Sequence, residues 1–327
     1  MSVAIADVNS DNKPDIVVAN QGSNTVSVLL NAGSSTFNAP TNFTVGGNPF
    51  SVAVVDVNSD SKPDIVVANF GGGTVGVLLN TGSGTFTAET TYTVGTQPYS
   101  VAVVDVNNDN KSDIIVANYD SNTVGVLLNR GSGSFHAQTT YAVGSYPYSV
   151  AVIDVNSDNK PDIVVANDGD STVSVLLNAG SGTFNAQTTY AVGSYPYSVA
   201  VVDVNSDNKP DIVVANAADN SVGVLLNTGS GTFYAQTTYA VGIGPQAVAV
   251  VDVNSDNKPD IVVASSGSNN VGVLLNTGSG AFNNQTTYAV SSNPRAVAVV
   301  DVNSDNEPDI VVVNYDPPYT VSVLLHC

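Results

Sequence analysis

The chain contains no tryptophan, only two histidines and a single cysteine, Cys327, at its last position. One cysteine can form no disulfide within the chain and supplies no thiolate cluster for a metal. His136 and His326 fall in unlike sequence contexts, and neither suggests a nucleophile–base pair. Basic residues are also scarce: eight Lys and Arg stand against 28 Asp and Glu, for a net charge of −20. A surface of that sign repels nucleic-acid phosphates and anionic lipid headgroups, so neither is an expected partner. No run of 18 apolar residues occurs, so membrane insertion is not expected. Strand-like residues follow Met1 at once with no secretory leader, as in a cytosolic protein or a mature or excised segment. The helix formers Glu, Lys, Gln and Arg are few.

What the chain does have is Val, Thr, Asn, Ser and Gly, with 43% hydrophobic residues. Val and Thr favour strands, and Asn, Ser and Gly favour turns. The segment D-V-N-S-D-N-K-P-D, or a close variant, begins at Asp7, Asp56, Asp105, Asp154, Asp203, Asp252 and Asp301, always 49 residues apart. Within one repeat, four strand-like runs are expected at 149–155, 162–167, 172–178 and 183–192, separated by Gly, Asn, Asp, Ser and Pro. Four short antiparallel strands repeated at this period predict an all-β, seven-bladed β-propeller filling 1–327 as one domain. A linear solenoid would expose apolar faces at both ends, and the end repeats carry no polar capping substitutions. The third strand of repeat seven has no fourth to follow it, so the last blade is expected to be three-stranded. Its open edge is a route to dimerisation. Phe37, Phe86, Phe135, Phe184, Phe233 and Phe282 recur at one repeat position and are expected in the core.

The acids are not scattered. Three Asp in each of seven loops make 21 of the 28 acidic residues. Loop positions 1, 3, 5 and 9 carry oxygen side chains, and position 7 offers its main-chain carbonyl. The candidate metal-ligating residues are Asp7, Asn9, Asp11, Lys13 and Asp15 in the first loop, and Asp56, Asn58, Asp60, Lys62 and Asp64 in the second. Asp105, Asn107, Asp109, Lys111 and Asp113 make the third, and Asp154, Asn156, Asp158, Lys160 and Asp162 the fourth. The fifth is Asp203, Asn205, Asp207, Lys209 and Asp211, and the sixth Asp252, Asn254, Asp256, Lys258 and Asp260. The seventh, with Glu in place of Lys, is Asp301, Asn303, Asp305, Glu307 and Asp309. Such all-oxygen sets suit calcium, a hard cation, and about seven ions are expected, one per repeat. Two carboxylates ~4 Å apart repel by up to ~4 kcal/mol at an effective dielectric of ~20, a cost a cation would relieve. Magnesium seldom uses an all-protein cage, and zinc would want His or Cys. The competing reading is an Asp- and Asn-rich turn without metal. Asn at position 6 tolerates the left-handed backbone that the turn needs.

The run P-x-S-V-A-V-x-D-V-N-S-D-N-K-P-D-I-V-V-A-N, followed by T-V-x-V-L-L-N-x-G-S-G-T-F, resembles the FG-GAP/VCBS-type repeat of integrin α-subunit propellers along the whole chain. The resemblance implies a seven-bladed propeller with calcium in the loop joining the first and second strands. Gly at position 6 and Phe at position 2 are usual in that family; Asn or Ser, and Val, stand here, a departure that bears on affinity and not on the ligand set. It also implies an extracellular or cell-surface module for adhesion or ligand binding, the members including lectins and polysaccharide-acting enzymes. A near-identical repeat scaffold without a ligand is a further alternative.

The repeats differ from each other in two places. The position after the proline that precedes the first strand reads Phe50, Tyr99, Tyr148, Tyr197, Gln246 and Arg295, with Tyr146 and Tyr195 close by. The second place is the turn joining strands two and three. Both are expected on the face opposite the calcium loops. Aromatic rings with hydroxyls suit a protein or glycan ligand there, and Tyr99, Tyr146, Tyr148, Tyr195, Tyr197 and Arg295 are the candidate ligand residues. The same tyrosines would also serve merely to line blade interfaces. Acids outside the loops recur at no common position, so no catalytic pair is proposed and no enzyme is expected.

Overall fold

The computed structural model describes residues 2–317 and 319–326; Cys327 lies outside them. Six four-stranded antiparallel sheets and one three-stranded sheet surround a central axis. Blade four shows the plan: Pro147–Ile153, Asp162–Asn167, Thr172–Leu176 and Thr188–Ala191 pair in sequence from the axis outward. Among the described residues the only helical elements are three single 3₁₀ turns.

Alternation along the strands explains the ring. In blade three, Ile114 and Val116 join the core shared with blade two, whereas Ile115 and Ala117 join the core shared with blade four. Successive strand side chains point to opposite faces, so a continuous I-I-V-A run makes both faces apolar. Neither face can be left in water, and stacking blades around an axis covers both. The ring closes with the same chemistry, since Ile16 and Val18 pack with Val311 and Val313 between the first and last blades.

Three of the four expected strands differ in their bounds: besides the changes below, the first ends at Ile153 and the third at Leu176, each two residues sooner than expected. The first strand begins two residues earlier, at Pro147, with a bulge between Pro147 and Ser149. The expected fourth strand is two pieces. Thr183–Phe184 folds back on Asn178–Gly180 as a separate small hairpin, and only Thr188–Ala191 reaches the sheet. The reason is the turn at 181–182: Ser181 and Gly182 take φ of 54° and 69°. Two left-handed residues in succession close a two-residue hairpin before the chain can extend.

The hairpins carry the recurrent phenylalanines into the seams between blades. Phe135, Phe184, Phe233 and Phe282 are buried, each edge-on to a tyrosine of the preceding blade's outer strand, as Tyr141 is to Phe184 at 5.4 Å. Phe37 and Phe86 are partly buried. The last blade ends, among the described residues, with Thr320–Leu324 as its outer edge, half-exposed where the other blades bury this strand.

Candidate functional site

A seven-residue strand rises roughly 3.3 Å per residue, so its two ends lie about 20 Å apart. In blades two to seven the first strand therefore holds its proline end on one face of the ring and its aspartate loop on the other. The two faces are built differently.

On the aspartate face the backbone wraps around its own side chains. In the first loop Asp7 Oδ1 accepts from Asp11 N at 3.1 Å and Oδ2 from Asn12 N at 2.7 Å. Asn9 Oδ1 accepts from Asp11 N at 2.9 Å, and Asp11 Oδ1 from Lys13 N at 3.0 Å. Positions 4 and 6 are left-handed in every loop, Ser10 and Asn12 with φ of 64° and 62°, as the sequence predicts for position 6. In six loops the position 7 ammonium lies beside the position 5 carboxylate, from 3.5 Å for Lys13 and Asp11 to 2.9 Å for Lys111 and Asp109. The hydrogen bond from Lys258 holds the Asp256 carboxyl below its usual value. Glu307 breaks this pattern in the seventh loop and instead faces His326 Nδ1 at 3.6 Å.

The ninth residue behaves unlike the others. Asp15, Asp64, Asp113, Asp162, Asp211, Asp260 and Asp309 are wholly buried. Asp162 Oδ2 accepts from Val155 N at 2.9 Å and Oδ1 from Asn178 N at 2.8 Å. That asparagine then donates to Val106 O of the preceding blade at 2.8 Å and to Pro161 O at 2.9 Å. The arrangement recurs, and Asn31 Nδ2 to Val302 O at 2.8 Å closes the ring with it. Asp and Asn together thus clamp each loop, its own hairpin and the neighbouring blade. Sequence reasoning missed the asparagine; the signal was present in the repeated L-L-N-x-G. Burial pushes the carboxyls of Asp113, Asp162 and Asp211 up to about 6, two backbone hydrogen bonds pull them down, and the charges at positions 5 and 1 push further up.

Among the described residues no three His, Cys, Asp or Glu side chains gather closely enough to form a ready cage for an ion. The donor chemistry nevertheless fits a hard cation: carboxylates, an amide oxygen and a main-chain carbonyl, every one an oxygen. The position 1, 3, 5 and 9 side chains would hold it, with the carbonyl of position 7. Bound there, the ion would supply positive charge to the most crowded carboxylates of the chain.

On the opposite face an axial pocket of ≈ 340 Å³ is lined by Phe50, Tyr99, Tyr148, Tyr197, Gln246 and Arg295, among others. The rings form an arc. Phe50 and Tyr99 lie 4.3 Å apart, Tyr99 and Tyr148 3.9 Å, and Tyr148 and Tyr197 stack at 4.4 Å and 17°. Tyr99 donates its hydroxyl to that of Tyr148 at 2.6 Å. Burial raises both phenols, Tyr148 to about 12. Across the pocket Arg295 Nη1 donates to Gln246 Oε1 at 2.7 Å, and the guanidinium carbon sits 5.6 Å from the Tyr315 ring centre.

Tyr146 and Tyr195 stand outside the pocket on the same face, 44% and 53% exposed. Tyr146 stacks on Tyr119 at 4.9 Å, and Tyr195 lies 6.4 Å from Tyr197. Both adopt left-handed backbone, φ 57° and 54°. The same position is Asn48, Gln97, Gly244 and Asn293 elsewhere, all left-handed. For a bulky residue this conformation costs about 1–2 kcal/mol. Gly169 makes room for one ring, since a methyl carbon there would lie 2.6 Å from Tyr146 Cδ2. Between the exposed ring and the pocket lies Tyr119, whose hydroxyl donates to Asp168 Oδ2 at 3.2 Å. Asp168 Oδ1 is buried with no partner, and burial raises this carboxyl above its ordinary value. All six tyrosine and arginine candidates thus share one face, but only Tyr99, Tyr148, Tyr197 and Arg295 line the pocket.

Comparison with known proteins follows this architecture. The FG-GAP-like repeat family model matches residues 7–67, 56–116, 105–165, 154–214, 203–263 and 252–312. The chain belongs to that family and is a seven-bladed β-propeller of its repeats. No curated protein sequence matches it. A solved Agrocybe aegerita lectin that specifically recognises non-reducing terminal N-acetylglucosamine is similar, at 22% identity and a TM-score of 0.62, over 87% of this chain and 79% of the lectin. Virginiamycin B lyase from Staphylococcus aureus matches at 14% identity and TM-score 0.69, over 99% and 94% of the two chains. A putative 6-phosphogluconolactonase from Bacteroides fragilis NCTC 9343 matches at 14% and 0.74, over 97% and 92%. At such identities the likeness is one of fold.

Proposed function

We propose that this propeller is a carbohydrate-binding module, with its ligand seated in the axial pocket on the tyrosine face. The observation that carries this reading is the unbroken aromatic belt from Phe50 to Tyr197 at the pocket, with Tyr146 and Tyr195 held exposed beside it in a backbone conformation that disfavours them. Strained residues persist where something retains them, and flat rings with hydroxyls offer a sugar both stacking and hydrogen bonds. A pocket of ≈ 340 Å³ falls at the small end of the usual range of roughly 300–1,000 Å³. The lectin likeness accords with this choice, and adhesion through surface glycans is its natural use. The test is glycan binding by isothermal titration after an array screen. Tyr197→Ala, which removes a stacking face, should weaken binding about tenfold, the equivalent of roughly 1.4 kcal/mol, with the melting transition retained. Unchanged affinity removes the pocket from consideration.

On the opposite face the aspartate loops serve as calcium sites that brace the ring, in a protein that works outside the cell or at its surface. The all-oxygen donor chemistry of the loops supports this. An ion at a hundred times its dissociation constant stabilises a fold by about 2.7 kcal/mol per site. Chelation should therefore lower the melting temperature, and metal counting should approach one ion per loop. The seventh loop, with no lysine competing for Asp305, should bind most tightly, and Glu307→Lys should weaken it. A melting curve indifferent to calcium and chelator would end this reading. The half-exposed last strand offers its edge to a second copy of the chain.

A further inference from the structure

Arg295 is out of place in this molecule. Six of the eight basic residues are lysines, each beside a loop carboxylate at 2.9–3.5 Å. Among the described residues Arg295 makes no such pair, although the chain carries 28 acids. It lines the axial pocket, with Nη1 spent on Gln246. Its Nε is buried and has no hydrogen-bond partner among the described residues. A buried unsatisfied donor costs about 1–3 kcal/mol, more where the group is charged. Nε is closed off from the pocket, so what Arg295 sets before a ligand there is the charge of its guanidinium.

The nearby acids do not complete it. Asp168 is turned to the Tyr119 hydroxyl, Asp170 accepts from Ser145 N at 2.6 Å, and Asp219 from Ser194 N at 2.9 Å. Asp316 accepts from Asn293 Nδ2 at 3.1 Å. Asp168 adds to burial in pushing up the Tyr148 and Tyr197 phenols, so an anion in the pocket meets this opposing charge as well as the guanidinium. Opposite Arg295 the pocket wall is the Tyr99–Tyr148–Tyr197 arc, a surface for a ring. The repeat position that supplies three of these tyrosines supplies the arginine and its glutamine prop. Charge and aromatic face are thereby set on opposing sides of one small pocket.

We infer that the axial pocket takes a saccharide bearing a carboxylate, of the uronic-acid type, its carboxylate on Arg295 and its ring against the tyrosine arc. This rests on the reading of the pocket as a glycan seat, and the experiment separates the two. A uronic-acid disaccharide, its methyl ester and the corresponding neutral disaccharide are titrated against the full chain and against Arg295→Gln. The acid should bind the wild type about ten- to a hundredfold more tightly than ester or neutral sugar, the range of a charge-assisted hydrogen bond. Arg295→Gln should abolish that preference. Equal binding of all three by the wild type overturns the inference and leaves the glycan pocket standing. A preference that survives in Arg295→Gln also overturns it, since another group would be responsible. Binding of none overturns both readings. Should Arg295→Gln fail to fold, the comparison of acid with ester on the wild type decides alone.

Discussion

Replacing Tyr195 by Asn separates what the ring does for a ligand from what it does for the fold. Tyr195 is left-handed at φ 54°, a conformation that costs a bulky residue about 1–2 kcal/mol. Asn accepts this backbone with little strain, as Asn48 and Asn293 do at the same repeat position. Against that gain stands the lost packing. Tyr195 is 53% exposed, and its only ring neighbour among the described residues, Tyr197, is 6.4 Å away and tilted by 43°. A pair of that kind sits at the weak end of about 0.5–1.5 kcal/mol. Tyr195→Asn should therefore be neutral or stabilising by up to about 1 kcal/mol. With roughly 2 cal/mol/K of unfolding entropy per residue, that is a rise of only about 1–2 °C in melting temperature. Tyr146→Asn should gain less, because the 4.9 Å stack on Tyr119 is lost with it. The control is Tyr141→Ala, which empties the contact with buried Phe184 and should cost about 3–5 kcal/mol. Thermal melts read the stability, and titration with the glycan that the wild type binds reads the function. The expected result is an equal or higher melting temperature with weaker binding. A variant that loses more than about 1 kcal/mol and binds normally would show that the exposed ring is structural, and the strain argument would fail.

Two further outcomes test the scaffold. Asn178→Ala removes one side chain that donates to both Val106 O and Pro161 O, leaving one buried and one part-buried acceptor unmet. The loss should be about 2–5 kcal/mol by denaturant titration, whereas the exposed Asn185→Ala should fall within about 0.5 kcal/mol. Asp168 provides the pH test. Burial raises its carboxyl in the fold above its ordinary value, so ionisation destabilises the native state. That cost is absent below the ordinary carboxylate value near 4 and complete above the raised folded value. The wild type should lose this contribution as pH rises through that window. Asp168→Asn, which cannot ionise, should be the more stable at pH 7, with the difference vanishing toward pH 3. A difference between the two proteins that does not change with pH would refute it.

The 49-residue period made the blades, their number and the incomplete last blade legible, because each repeat states the same alternation. Ile114 and Ile115 must face opposite ways, and both are apolar, so a neighbour is required on each side. What stayed hidden depended on partners distant in sequence. The ninth aspartate reads as the end of a nine-residue loop, yet its burial comes from Asn178, 16 residues on, and from a carbonyl of the preceding blade. The small hairpin was hidden by the apparent continuity of 183–192, while the left-handed pair at Ser181 and Gly182 overrides strand propensity. The tyrosine face was legible only as a difference among repeats. Which rings would meet depended on the curvature of the ring, which no single repeat encodes.

That difference among repeats has a physical meaning. A seven-fold ring offers a ligand on its axis seven equal chances of contact, so an unsymmetrical ligand would have seven equivalent poses and no preferred one. A single orientation requires the symmetry to be broken at the axis. The aspartate face keeps its loops nearly uniform, as bracing by repeated identical clamps demands. The tyrosine face breaks them one residue at a time, through Phe50, three tyrosines, Gln246 and Arg295 at a single repeat position. Charge stands on one side of the pocket and aromatic surface on the other. Restoring the symmetry should therefore abolish selectivity without harming the ring. Gln246→Tyr with Arg295→Tyr would extend the arc and remove the positive charge that lines the pocket. A double variant that folds, keeps its aspartate loops and still distinguishes acidic from neutral sugars would place selectivity elsewhere on the molecule.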